Sequence, residues 1–217
     1  MAYRGVIFDL DGTLVDSFRA IHGSLRASMV AFGLPPWDYE TTVRHVGRGI
    51  EYLLRTAVGA ERTPQALEIF RKDYSATCLS RTFLLPSVAD TLPRLTTSGY
   101  RLAVATNKPL PFTRKILEHF KIDHHFDCVT APEEVARPKP SPDMIHAILG
   151  RLRLSREECL YVGDMPLDVE TATKAGVGCL LVATGAYSYS ELTREVDVPV
   201  VESFSRILEY VERRKST

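Results

Sequence analysis

The chain has 217 residues, 45% hydrophobic and 25% charged, and its 27 basic and 27 acidic side chains leave a formal net charge of zero. That is enough chain for a full buried core, and the charge balance excludes a general nucleic-acid binder or a polybasic membrane-surface protein. No apolar run approaches the ~20 residues that cross a bilayer.

Cys78, Cys128, Cys159 and Cys179 lie far apart with no C-x-x-C pair. Reduced thiols in a cytoplasmic protein fit this spacing better than a zinc site or a disulfide framework. The opening "MAYRGVIF" carries no signal-peptide pattern, and the closing "ERRKST" reads as a solvated helix end.

In chain order, the first element is "GVIFD" (5–9), a continuous apolar run that reads as a strand buried on both faces. It runs into two carboxylates, Asp9 and Asp11, and then a Gly12-Thr13 turn. Like charges this close, near a sheet edge, repel and are poorly solvated. The arrangement calls for a compensating cation and suggests a phosphate.

Residues 17–82 contain no convincing strand. Phe18, Ile21, Leu25, Met29 and Phe32 form a helical stripe, stopped by Gly33 and Pro35-Pro36, with Trp37 as a packing residue. Ile50, Leu53, Leu54, Ala57 and Val58 form a second, stopped by Gly59. "TPQALEIFRKDY" opens a third, with Thr63 expected as N-cap and Pro64 at the first helical position.

From there strands and helices alternate. Val88, Leu92 and Leu95 mark a helix ending before Gly99, and "RLAVAT" (101–106) is the next strand. Phe112, Ile116 and Phe120 precede "FDCVTA" (126–131); Ile145, Ile148, Leu149 and Leu152 precede "CLYVGD" (159–164); "GCLLVA" (178–183) follows. This rhythm predicts an α/β fold, a doubly wound parallel-sheet Rossmann-like core from residues 1–16 and 83–217. The helical segment 17–82 is inserted after the first strand as a cap, over the strand ends where such folds bind ligands.

The carboxyl ends of the strands collect the reactive side chains. They carry Asp9 and Asp11, then Thr106-Asn107-Lys108, then Lys139 in "ARPKPSPD", then Gly163-Asp164 with Asp168 four residues later. Asp9 is placed to act as a nucleophile, and Asp11 to move a proton while Asp9 stays ionised. Asp9 and Asp164 offer hard oxygen ligands for Mg²⁺. Thr106 and backbone N–H groups can hold phosphate oxygens, and Lys139 adds positive charge. Pro138 and Pro140 stiffen the backbone of Lys139, and Ser141-Pro142 is expected to start the next helix.

"DLDGTLVDS", "ATNK", "RPKPSPD" and "YVGDMPLDVETATKAGV" resemble, in order and spacing, the four motifs of the haloacid dehalogenase-like hydrolase superfamily. The resemblance covers nearly the whole chain. "RHVGRGIEYLL" and "LSREECLYVGD" are similar to the phosphoglycolate-phosphatase-like group. It implies Asp9 as nucleophile and Mg²⁺ ligand, Asp11 as general acid/base with its backbone carbonyl on the metal, and Asp164 as a further metal ligand. It also implies Thr106 and Asn107 as phosphoryl-binding residues, Lys139 as the stabilising cation, Gly12 as the turn that leaves the site, and Asp168 behind the metal waters or Lys139.

The expected activity is Mg²⁺-dependent hydrolysis of a small phosphorylated metabolite through an aspartyl-phosphate, with phosphoglycolate leading. Pyrophosphate, a nucleoside monophosphate or a sugar phosphate are alternatives. Dehalogenases lack the second aspartate, and phosphonate-cleaving relatives use a cap lysine, for which this cap offers only Lys72. Rival readings are a sugar-phosphate phosphomutase, which Gly163 disfavours because related mutases often carry an acid there, a phospho-acceptor signalling module and a catalytically inactive binding protein. Arg48 is assigned to substrate binding. The roles of Arg44 and His22 stay open, as does the choice between monomer and homodimer. His119, His124 and His125 lack the carboxylate partners of a metal site, and Tyr187 and Tyr189 read as a surface loop.

Overall fold

The computed structural model describes residues 2–213; the end of "ERRKST", residues 214–217, lies outside the described residues. The strands are β1 (Gly5–Phe8), β2 (Val15–Asp16), β3 (Phe83–Leu84), β4 (Arg101–Ala105), β5 (Cys128–Thr130), β6 (Cys159–Gly163), β7 (Gly178–Val182) and β8 (Val200–Val201). Six of them form one parallel sheet in the order β5-β4-β1-β6-β7-β8. Gly5 of β1 aligns with Arg101 on one side and Cys159 on the other, so the first strand lies at the centre.

The helices are α1 (Phe18–Ala31), α2 (Tyr39–His45), α3 (Ile50–Val58), α4 (Thr63–Thr77), α5 (Val88–Thr97), α6 (Leu110–His119), α7 (Asp143–Leu152), α8 (Pro166–Ala175), α9 (Tyr189–Glu195) and α10 (Arg206–Arg213). The two-residue period of a strand divides the apolar runs between two faces. Val6, Phe8, Leu102, Val104, Leu160 and Val162 pack with Leu92 and Leu95 of α5 and Ile207 of α10. Ile7, Ala103, Ala105 and Tyr161 face the other way, onto Ile145 and Ile148 of α7 and Ala172 of α8.

Helices α1 to α4 have their own cluster, with Leu25, Met29, Leu54, Phe70 and Tyr74 buried and Trp37 packed at its edge. The two chain crossings between this layer and the sheet run side by side as β2 and β3, an antiparallel ribbon pairing Val15 with Leu84 and Asp16 with Phe83.

Two expected caps differ. Thr63 lies inside α4, whose N-cap is Arg62. The Thr63 hydroxyl donates instead to the Gly59 carbonyl at the end of α3, because the tight turn at Gly59, with φ 86°, brings that carbonyl within reach. Ser141 does not cap α7, whose N-cap is Pro142; its hydroxyl donates to the Asp143 carboxylate. Helices α2 and α9 and the two-residue β8 have no counterpart in the sequence reading, being too short to show a clear period; of α10 only the end, in "ERRKST", was read as helix.

Candidate active site

A parallel sheet aligns the carboxyl ends of its strands, so β1, β4 and β6 deliver Asp9, Thr106 and Asp164 to one edge. Asp9 follows β1 directly, its N–H donating to the Val162 carbonyl at 2.9 Å. Lys139 is fully buried, with Nζ 3.0 Å from Asp9 Oδ1 and 2.9 Å from Asp168 Oδ1. The same ammonium donates to the Tyr161 hydroxyl at 2.9 Å, which itself donates to Asp168 Oδ1 at 3.1 Å. Asn107 fixes the lysine backbone, accepting from Lys139 N at 2.9 Å and donating to its carbonyl at 3.0 Å. The Lys139–Pro140 bond is cis.

Asp168 opens α8, and its second oxygen accepts from the N–H groups of Asp164 and Met165. With both oxygens engaged, Asp168 orients its neighbours and is not free to ligate. Asp164 accepts from the Thr13 hydroxyl at 3.2 Å through Oδ1, while its buried Oδ2 has no hydrogen-bond partner. Carboxylate oxygens of Asp9, Asp164 and Asp168 all lie within 4.8 Å of one another.

Asp11 is turned the other way. Both its oxygens accept from Lys108 Nζ at 2.9 Å, and the Ser17 hydroxyl donates to Oδ1. The Lys108 ammonium lies 5.0 Å from the centre of the Tyr74 ring. Tyr74 belongs to α4, is 1% exposed, and its hydroxyl has no hydrogen-bond partner.

Burial pushes the Asp9 carboxyl up to about 6; Lys139 pulls against this, and Asp168 and Asp11 add to it. Burial likewise lifts Asp164 well above the ordinary carboxylate value, with Asp168 and Asp9 adding to it. Burial opposes the charge on Lys139, yet Asp168 and Asp9 outweigh it and hold the ammonium firmly protonated. Asp11 does the same for Lys108. Four carboxylates thus meet two ammoniums, Lys139 and Lys108, leaving an acidic excess in a poorly solvated place. The all-oxygen donor set, that excess and the orphaned Asp164 oxygen fit a small, hard divalent cation.

The backbone makes room for this cluster by omitting side chains. A Cβ at Gly185 would lie 1.7 Å from Asp164 Oδ2, and one at Gly12, where φ is 85°, would lie 2.4 Å from the same oxygen. Gly185→Ala is therefore expected to displace Asp164 and weaken divalent-cation binding by roughly tenfold or more. Titration calorimetry with Mg²⁺ checks this, and unchanged affinity would contradict it.

A cavity of about 40 Å³ opens over Asp9 and Asp11. Its floor is Thr106, Asn107 and Lys108; its roof is Ile21, Gly47, Ile50, Phe70 and Tyr74 from the helical layer. Asn107 Nδ2 donates to the Gly47 carbonyl at 2.9 Å, tying roof to floor.

Arg48 is not brought to this cavity. It is exposed, 5.6 Å over the Tyr52 ring, in a wider outer cleft with Arg55 and Glu133. The Gly47 and Gly49 turns around it, with φ of 115° and 91°, put backbone in the cavity wall. Arg44 pairs with Glu191 of α9 at 2.5 Å and stacks on Tyr187, bridging the helical layer to α9 and the loop before it. His22 is engaged within its own layer, with Nδ1 2.9 Å from the Thr42 hydroxyl. Lys72 is exposed.

Lys108, Tyr161, Thr13, Ser17 and Gly185 had no assigned role in the sequence reading. Lys108 and Gly185 carried the same signal as Thr106, a place just past a strand's carboxyl end. Tyr161 was hidden as one aromatic in an apolar strand.

A family model for haloacid dehalogenase-like hydrolases matches residues 6–182. The chain belongs to the haloacid dehalogenase-like hydrolases. Within that family it is 33% identical to the phosphoglycolate phosphatase of Salmonella typhi, over 94% of this chain and 91% of that one. A solved structure of a predicted phosphoglycolate phosphatase from Haemophilus somnus superposes with a TM-score of 0.88 at 28% identity, covering 96% of this chain and 97% of that one. Protein Tyrosine Kinase A of Mycobacterium tuberculosis matches with a TM-score of 0.81 at 31% identity, over 97% and 98% of the two chains. The fold of these hydrolases therefore carries more than one named activity, and the reaction must be argued from the site.

Proposed function

We propose that this hydrolase is a Mg²⁺-dependent phosphatase that cleaves a compact phosphate monoester by forming an aspartyl-phosphate on Asp9. The observation that carries the reading is the division of labour between the two aspartates. Asp9 faces Lys139 and Asp164, whereas Asp11, two residues on, is held by Lys108 and Ser17.

In this reading Asp9 attacks phosphorus through a carboxylate oxygen, and Lys139 steadies the charge that develops on the phosphoryl oxygens. Thr106 and the Asn107 backbone hold that group. Asp11 gives a proton to the leaving alcohol, then takes one from the water that cleaves the acyl phosphate. Asp9 and Asp164, with the Asp11 carbonyl, would hold the metal, which would supply further positive charge to the phosphoryl group. Asp168 and Tyr161 keep Lys139 aimed at Asp9.

The roof formed by residues 17–82 acts as a cap that excludes bulk water and opens on the β2–β3 ribbon. A cavity of about 40 Å³ has room for on the order of three waters. That favours a compact leaving group such as glycolate over a nucleoside or a hexose. Gly163 supports a hydrolase over a mutase, because a Cβ there would lie 2.2 Å from Asp168 Cγ. An acid at that position would have to displace Asp168 from Lys139. The free thiols fit a cytoplasmic setting.

The test is phosphate release from 2-phosphoglycolate, pyrophosphate, nucleotides and sugar phosphates, with and without Mg²⁺. One compact monoester far ahead in kcat/KM, with strict metal dependence, is expected. Asp164→Asn should raise the Mg²⁺ requirement by roughly tenfold or more. Phosphate kept on Asp9 without turnover, or its transfer to a sugar, would overturn the hydrolase reading.

A further inference from the structure

We propose that Tyr74 is a specificity-determining residue whose hydroxyl donates a hydrogen bond to a second oxygen on the alcohol portion of the substrate. The inference deepens the phosphatase reading and rests on it. It concerns the leaving group, which that reading constrains only in size.

Buried polar groups are nearly always hydrogen-bonded, and one that is not calls for an explanation. The Tyr74 hydroxyl is such a group: the residue is 1% exposed, lines the cavity over Asp9 and Asp11, and has no hydrogen-bond partner among the described residues. Its ring is well supported, stacked on Phe70 at 5.5 Å and edge-on to Phe112 at 4.9 Å. Packing alone would be served as well by phenylalanine, so the hydroxyl is the feature left over.

The rest of the roof narrows what the hydroxyl can meet. Ile21, Val46, Ile50, Leu53 and Phe70 are apolar, so among the described residues Tyr74 supplies the only side-chain hydrogen-bond donor that the helical layer brings to the cavity lining. Lys108 stands beside it on the floor and is already engaged with both oxygens of Asp11. Burial raises the phenol above its ordinary value, Asp11 adding to this and the Lys108 ammonium beside it opposing, so at neutral pH the hydroxyl keeps its proton and can donate. The fitting ligand is a compact phosphate monoester with an oxygen acceptor near the ester oxygen. A carboxylate and a hydroxyl share this chemistry. A site built to hydrogen-bond such an oxygen rejects the analogue that lacks it.

The experiment compares wild type with Tyr74→Phe on 2-phosphoglycolate, 2-hydroxyethyl phosphate and ethyl phosphate, with p-nitrophenyl phosphate as a check on phosphatase chemistry. The variant keeps the ring and its stacking, and its thermal midpoint verifies the fold. The expected result is a loss of roughly 10–100-fold in kcat/KM on the probe bearing the recognised oxygen, with less than about twofold change on ethyl phosphate. A loss confined to 2-phosphoglycolate identifies a carboxylate, and a loss confined to 2-hydroxyethyl phosphate a hydroxyl. Equal losses on all the probes, or none on any, would show that Tyr74 only packs and overturn the proposal. Wild-type activity on p-nitrophenyl phosphate with none on the three small esters would overturn it too, leaving the phosphatase reading standing. Inactivity on all four overturns both.

Discussion

Asp9→Asn is expected to lower phosphate release by roughly 10⁴-fold or more while the protein stays folded. Asparagine keeps the shape of the side chain and the backbone bond from residue 9 to the Val162 carbonyl. It removes the carboxylate that, in the proposed mechanism, attacks phosphorus beside Lys139. The fold should not suffer, because burial already pushes the Asp9 carboxyl up to about 6, a sign that its charge is poorly accommodated without a cation. Lys139 retains Asp168 as partner. The thermal midpoint in EDTA should therefore match wild type or exceed it. Single-turnover phosphate release together with the melting curve checks both halves. Wild-type-like turnover would rule out the covalent route. Asp11→Asn should be nearly as damaging for alkyl phosphates and far milder for p-nitrophenyl phosphate, whose leaving group needs no proton.

Lys139→Met is expected to damage both chemistry and stability. Its ammonium is the hub joining Asp9, Asp168 and Tyr161, with no exposed side-chain surface. Removing one member of a buried ion pair leaves the others uncompensated and costs about 3–5 kcal/mol. For a chain of this size that is roughly 10 °C in Tm. Turnover should fall about 10³-fold, since in the proposed mechanism the phosphoryl group loses the cation that steadies its charge.

The sign of the pH effect follows from Asp9. Burial raises its carboxyl from 3.8 to about 6, so the folded state binds that proton more tightly than the unfolded chain. Its contribution to stability is greatest below the lower value and falls as pH rises toward the higher one. A divalent cation offsets the loss. The Tm gained on adding Mg²⁺ should thus grow between about pH 5 and about pH 7, and a gain independent of pH would show that the ion does not bind at Asp9. Lys139→Met should be least stable at neutral pH and recover partly in acid.

Much of this site was legible before any coordinates. Strands buried on both faces write themselves as unbroken apolar runs, so β1, β4 and β6 were visible, with the shorter apolar runs of β5 and β7 beside them, and parallel pairing set the edge where Asp9, Thr106 and Asp164 meet. The long stripes of α1 and α3 were visible because their periods are strong. The sequence by itself therefore determined the layering, the helical insert after the first strand and which acids gather at that edge. Tertiary structure alone decided what each side chain touches. A linear pattern states which edge a residue reaches but not its direction there. So the turning of Asp11 toward Lys108 and Ser17, the Tyr161 hydroxyl beneath Lys139, the exclusion of Arg48 from the cavity and the unpartnered hydroxyl of Tyr74 had no signature in periodicity. They arise from contacts between residues far apart in the chain, where packing and the need to pair buried charges select one arrangement.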